Sequence, residues 1–336
     1  MIIKPSTLSL ITMYQCTAAC EHCCFSCSPR VTDRLPPERL ADFILQAKQF
    51  ETIKVVVFTG GECFLLGRDL NQLVSLAKSE GYSTRVVTNG YWATSRGSAI
   101  NRLEGLKEEG LDEINFSTGY YHQKYVPLEN IVNGISAGID LGLHGAIMIE
   151  DVVGSSGTSE YLMTVEKIAA AVSAGSLRII VSPWMSFKGK DSINIVPRSE
   201  SETFSCGGCH TVLSVLAITP DEDLYACCGL PMREIPEMKL ISLKGVSNVR
   251  RAIDELPDDF IKIWLSVEGP FEILRFASQY DSEISLTNRS SHMCEVCRHL
   301  YANRSVREVL CKHSKDKRAL VISEYFRRLN TIRLLK

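Results

Sequence analysis

Apolar positions along the first half of the chain recur in two alternating periods. Short apolar or β-branched runs at Leu8–Met13, Lys54–Phe58, Thr84–Val87, Glu113–Phe116, Gly145–Ile149 and Leu177–Val181 each end in turn residues, the pattern of strands. Between them, Glu38–Phe50, Leu70–Glu80, Ala99–Glu109, Leu128–Leu141 and Tyr161–Ser173 repeat Leu, Ile, Val and Ala at i, i+3, i+4, with Lys and Glu elsewhere. That is the helical period. Alternating βα units build a parallel sheet. Six are too few to close an eight-fold barrel, so the pattern predicts an α/β fold, an open partial (β/α)6 barrel with its chemistry at the strand ends. A polar patch, Lys188–Thr203, separates this scaffold from the rest. The expected division is a barrel over 1–190, a smaller C-terminal domain over 191–311 and a basic tail over 312–336. In the smaller domain a turn at Thr219–Asp223 predicts a hairpin, and Ile241–Tyr280 reads as helices.

Composition narrows the class. With 45% hydrophobic and 23% charged residues, the 336-residue chain is globular rather than disordered. A net charge of −2 gives no electrostatic argument for nucleic acid. No apolar run reaches the ~18 residues of a membrane span. Met1–Pro5 has no secretory h-region, so no membrane association and a cytoplasmic location are expected. The tail from Lys312 to Lys336 carries eight Lys/Arg against Asp316 and Glu324, which suits a solvated helix face or an acidic partner.

The 13 cysteines change the picture most. They are too many for incidental packing, and without a secretory signal disulfides are not expected. Metal is left. Cys16-x3-Cys20-x2-Cys23 follows the first expected strand. Three thiolates on one loop can hold three irons of a [4Fe–4S] cube and leave the fourth open. A zinc site of three Cys and His22 is the alternative, although His22, next to Cys23, is badly placed to share the ion. The second group is Cys206-x2-Cys209, Cys227-Cys228 and Cys294-x2-Cys297. Cys206, Cys209, Cys294 and Cys297 also make a formally acceptable four-cysteine zinc site.

The first loop resembles the signature of the radical S-adenosylmethionine (SAM) superfamily. Thr59-Gly60-Gly61-Glu62, ending the second strand, is similar to that family's GGE motif, which binds the amino group of SAM's methionine part. Glycine permits close backbone approach, and a carboxylate satisfies an ammonium. Thr88-Asn89-Gly90 and Ser117 end strands three and four, where family members contact the methionine carboxylate and the ribose. Each also suits a turn or cap. The run from Cys16 through Cys24 and Cys27 to Pro29, with Phe116-Ser117-x4-His122-x3-Val126, resembles the radical SAM peptide epimerases of the epipeptide pathway. One departure is Gly119, where that resemblance implies Asp.

The second group resembles the SPASM/twitch domains of radical SAM peptide enzymes. This implies an auxiliary [4Fe–4S] cluster on Cys209, Cys227, Cys294 and Cys297, with Cys206 replacing Cys209 or spare. The resemblance to the peptide epimerases implies that Cys228 is a hydrogen-atom donor, since a thiol S–H bond is weaker than a Cα–H bond. Cys24, Cys27, Cys63 and Cys311 are expected to be mostly inert.

The resemblance implies two clusters, SAM, an electron donor of the flavodoxin or ferredoxin type, and a 5′-deoxyadenosyl radical that abstracts a substrate C–H hydrogen. Epimerisation of L- to D-residues in a ribosomal peptide comes first. A small-molecule epimerase or dehydrogenase acting on a sugar or aminoglycoside, and a peptide thioether or C–C cross-linking enzyme, need almost the same residues. Cys16 leaves no room for a leader-binding domain before it, so a leader is expected to bind the scaffold, the tail or a separate protein. A metal-binding module without catalysis would leave the strand-end motifs as accidents.

Overall fold

A computed structural model describes residues 3–152, 157–185, 187, 207–284 and 292–334. The described residues fall into two compact units, one within Thr7–Val196 and Ile218–Asp223, the other within Met1–Ser6, Pro197–Ala217 and Leu224–Lys336. The polar patch Lys188–Thr203 lies outside the described residues.

The first unit is a parallel sheet of β1 (Thr7–Ile11), β2 (Val55–Thr59), β3 (Ser83–Thr88), β4 (Glu113–Thr118), β5 (His144–Asp151) and β6 (Leu177–Pro183), each paired with the next. The register sets Leu10 beside Phe58, Phe58 beside Val86 and Val86 beside Ile114, a fully buried apolar row across four strands. Consecutive parallel strands need a crossover. These are α1 (Pro37–Gln46), α2 (Arg68–Ser79), α3 (Arg96–Glu108), α4 (Leu128–Asp140), and the pair α5 (Thr158–Thr164) and α6 (Glu166–Ser173). This is the open partial (β/α)6 barrel that the pattern predicts.

Local chemistry explains the boundaries. Prolines at Pro37 and Pro127 open or precede helices α1 and α4, where a missing N–H costs nothing. Ser95 and Ser98 exchange side-chain and main-chain bonds in a capping box before α3. Two expectations are corrected. Helix one ends at Gln46 and tightens into a 3-10 turn, Ala47–Gln49, before Phe50. Tyr161–Ser173 is not one helix: Val165 is extended (φ −80°, ψ 107°), and Thr164 Oγ1 donates to the Tyr161 carbonyl at 2.7 Å. Adjacent β-branched residues and that side-chain bond both compete with the helical ladder.

Later in the chain β7 (Val215–Ile218), β8 (Asp223–Tyr225) and β9 (Lys239–Ser242) are neighbours in that order, the first two joined through the expected turn. Leu213 N–H donates to Ala226 O (2.7 Å) and Ala226 N–H to Met238 O (2.8 Å). The stretch read as helices thus opens on a strand. It continues as α7 (Val249–Asp254), α8 (Phe260–Val267) and α9 (Gly269–Ser278). After α10 (Met293–Ala302) and α11 (Arg304–His313) the chain ends in α12 (Lys315–Leu334), which packs on α8. Val321, Tyr325 and Leu329, four residues apart, are buried, so only part of this basic helix faces water. Among the described residues no helix is long and apolar enough to cross a membrane.

Candidate active site

The loop between β1 and α1 brings Cys16, Cys20 and Cys23 to one cavity of about 180 Å³ at the strand ends. Thr59, Gly60, Gly61, Thr88, Asn89 and Ser117 line it too, so the strand-end residues singled out in the sequence converge here. Cys24 and Cys27 also line this cavity. Burial pushes the Cys16 thiol up to about 12 and the Cys20 thiol higher still. Buried thiols ionise only beside positive charge, which metal ligation supplies. An all-sulfur donor set in a small cavity fits iron–sulfur binding.

The glycines also have a packing role within the fold. A Cβ on Gly60 would lie 2.6 Å from Met13 O, and one on Gly61 2.0 Å from Gln15 O. Both residues must be glycine because the end of β2 runs against the cysteine loop. Gly61 N–H donates to Met13 O (2.7 Å) and Glu62 N–H to Gln15 O (3.0 Å). The GGE turn therefore sets the position of the thiol loop.

Glu62 is fully buried. Its Oε1 accepts from Phe64 N–H (3.1 Å) and Thr88 Oγ1 (2.8 Å), its Oε2 from Asn89 N–H (2.8 Å). Burial pushes its carboxyl up to about 7 despite these donors. A carboxylate offers roughly four acceptor positions, so there is room for one more donor, and a cationic one would restore the charged form. Thr88 Oγ1 also accepts from Gly90 N–H and Trp92 Nε1, both at 3.0 Å. The Asn89 amide points at Cys16 and Thr17.

Three contributors were not singled out as site residues in the sequence: His122, Glu150 and Trp184. His122 and Trp184 line the cavity. Trp184 Nε1 donates to His22 O at 3.0 Å. Glu150, on β5, is buried, accepts from Tyr121 N–H (2.9 Å) and faces His122 Nδ1 at 3.3 Å. Gly119 makes this possible: at φ +135°, a Cβ there would lie 2.1 Å from Glu150 Oε2. A carboxylate from β5 thus fills the space beside position 119. Ligand atoms of Cys20, His22 and His122 lie within 4.8 Å of one another, a grouping that includes neither Cys16 nor Cys23.

In the second unit Cys209, Cys227, Cys294 and Cys297 line one largely apolar cavity with Met232, Leu265 and Pro270. Cys294 and Cys297 share a face of α10 through their i, i+3 spacing. Burial pushes the Cys294 thiol up to about 12 and raises the Cys227 and Cys297 thiols as well. Four soft thiols around one space fit a cluster or a zinc ion equally by donor type. Cys228 is exposed and does not line this cavity. Cys206 lies outside the described residues. Cys63 is buried and donates to Val87 O, and Cys311 is exposed.

Known proteins resemble this chain in sequence and in fold. Residues 10–136 match the family model described as Radical SAM superfamily. A Bacillus subtilis (strain 168) protein, YydG, whose name assigns it provisionally to peptide biosynthesis, is 24% identical over 309 residues. The match covers 88% of this chain and 92% of YydG. The structure of native anSMEcpe with bound AdoMet (SAM) and Cp18Cys peptide is similar over 90% of this chain and 99% of that one. The identity is 14% and the TM-score 0.52, a likeness of fold. BtrN in complex with AdoMet and 2-DOIA gives 81% and 91% coverage, 15% identity and a TM-score of 0.49. Residues 10–136, the stretch that matches the radical SAM superfamily model, hold the three-thiol loop and the strand ends around it.

Proposed function

We propose that this radical SAM enzyme epimerises residues of a peptide, with Cys228 as hydrogen-atom donor. In this reading Cys16, Cys20 and Cys23 hold the SAM-binding [4Fe–4S] cluster, and Cys209, Cys227, Cys294 and Cys297 an auxiliary one. Gly60, Gly61, Thr88, Asn89 and Ser117 form the wall that receives SAM, and Glu62, buried behind Thr88 and Asn89, supplies the negative charge for SAM's amino group. When bound, cluster and SAM supply a one-electron reductive cleavage that yields a 5′-deoxyadenosyl radical able to abstract a substrate hydrogen atom. The chain's own work is to place the thiol loop through the GGE turn, surround SAM with strand-end donors and acceptors, and exclude water. The peptide substrate is supported by similarity to YydG along most of both chains.

The observation that carries the donor role is the partition of thiols in the second unit. Four line one cavity, and Cys228, the immediate neighbour of Cys227, is exposed. In the proposed step the Cys228 S–H bond breaks as a new Cα–H bond forms on the opposite face of the substrate carbon. The resulting thiyl regains its thiol by taking one electron, from a flavodoxin- or ferredoxin-type donor, and one proton. Turnover in D2O tests this, because thiol hydrogens exchange with solvent. Wild type should place one deuterium in the product. Cys228→Ala should keep both clusters and SAM cleavage yet give little inverted product. Normal turnover of that variant, with no solvent deuterium in the product, would exclude epimerisation by this thiol.

A further inference from the structure

Asn89 is held by its main-chain N–H and by both ends of its amide. Its N–H donates to Glu62 Oε2 (2.8 Å), and its Oδ1 accepts from Tyr91 N–H (3.0 Å). Its Nδ2 donates to Thr17 Oγ1 (3.0 Å) and to Cys16 Sγ (3.5 Å), the latter a contact length set by sulfur's larger radius. Asn89 is buried, and so is the carboxylate that anchors it. Two other N–H groups reach the loop thiols: Ala18 N to Cys16 Sγ (3.5 Å) and Cys27 N to Cys23 Sγ (3.4 Å). Both are main-chain groups that side-chain truncation leaves in place. Asn89 comes from a different strand and is a side chain, so its contribution can be removed by substitution.

We propose that Asn89 is a positioning residue of the first iron–sulfur site: its amide donates a hydrogen bond to the Cys16 sulfur and raises the reduction potential of the cluster held there, while Glu62 keeps it aimed. The proposal rests on Cys16 being an iron ligand. A reduced cluster carries one more electron, part of it on the ligand sulfurs. A donor fixed in a water-poor cavity stabilises that added charge more than it stabilises the oxidised state. Low local dielectric strengthens the effect. The GGE carboxylate then acts on the cluster through Asn89, apart from any contact with SAM.

The test is a redox titration of the anaerobic holoenzyme, followed by low-temperature EPR of the signal that changes when SAM is added. Asn89→Ala should move its midpoint to a more negative value. It should also remove a deuterium coupling seen in the wild-type reduced cluster after D2O exchange. Asn89→Asp keeps the side-chain shape and the bonds to Tyr91 and Glu62 while replacing the donor by an acceptor. It should shift the midpoint further the same way, and it serves if the alanine variant does not hold the cluster. A SAM-responsive signal with an unchanged midpoint and unchanged coupling would overturn the proposal. Absence of any SAM-responsive signal in wild type would overturn the ligand assignment beneath it.

Discussion

Glu62→Gln probes the buried carboxylate on which the strand ends converge. The carboxyl is pushed from an ordinary 4.5 up to about 7, chiefly by burial. Between those values the unfolded chain has released the proton and the folded protein still holds it. The unfolded state binds fewer protons there, so stability falls as pH rises. It is fully present below about pH 4.5 and has lost this contribution above about pH 7. At about 1.36 kcal/mol per pH unit, the loss is about 3 kcal/mol. Glutamine keeps the shape and accepts from Phe64 and Thr88, but turns an amide donor toward Asn89 N–H. That costs a pH-independent ~1–3 kcal/mol. The assay is anaerobic urea unfolding of metal-free wild type and Glu62→Gln across about pH 4.5 to 8. The stability difference between them should change by about 3 kcal/mol in favour of the variant as pH rises, other titrating groups cancelling. A difference that stays constant to about 0.5 kcal/mol would refute the burial argument.

Gly61→Ala places a Cβ against Gln15 O and breaks the Gly61–Met13 and Glu62–Gln15 bonds. At ~0.5–1.5 kcal/mol each it should cost roughly 1–3 kcal/mol in urea unfolding and lower the iron bound at the first site. Gly119→Ala drives a Cβ into the Glu150 carboxylate at a positive φ. Thermal unfolding should show a loss of about 1–3 kcal/mol, and a smaller loss in a Glu150→Ala background, where the clash is gone and only the backbone strain remains.

The scaffold was legible because its information is local. Apolar runs such as Val55–Phe58 and Ile147–Ile149 write strands, and the i, i+3, i+4 spacing of α2 and α4 writes helices. The three loop cysteines are close in sequence, so their convergence was legible too. The break at Val165 was not, because one extended β-branched residue hardly disturbs a helical period. The Glu150–His122 pair depends on the β4–β5 register, Ser117 beside Met148 and Thr118 beside Ile149, which no single segment encodes. Two signals were available: a carboxylate closing the apolar run of β5, and a glycine at 119 where the resemblance implied a side chain. The glycines of the GGE turn were read as access for a ligand. Their tightest contacts are to the cysteine loop, a packing relation between segments far apart in the chain.

Iron and acid-labile sulfide, measured on anaerobically reconstituted wild type and on the Cys16→Ala/Cys20→Ala/Cys23→Ala triple variant, test the central claim most directly. Wild type should hold about eight irons, two clusters of four, and form 5′-deoxyadenosine from SAM. The triple variant should keep about four irons and form none. Stoichiometric zinc without iron in wild type, or full iron and undiminished SAM cleavage in the triple variant, would contradict the account.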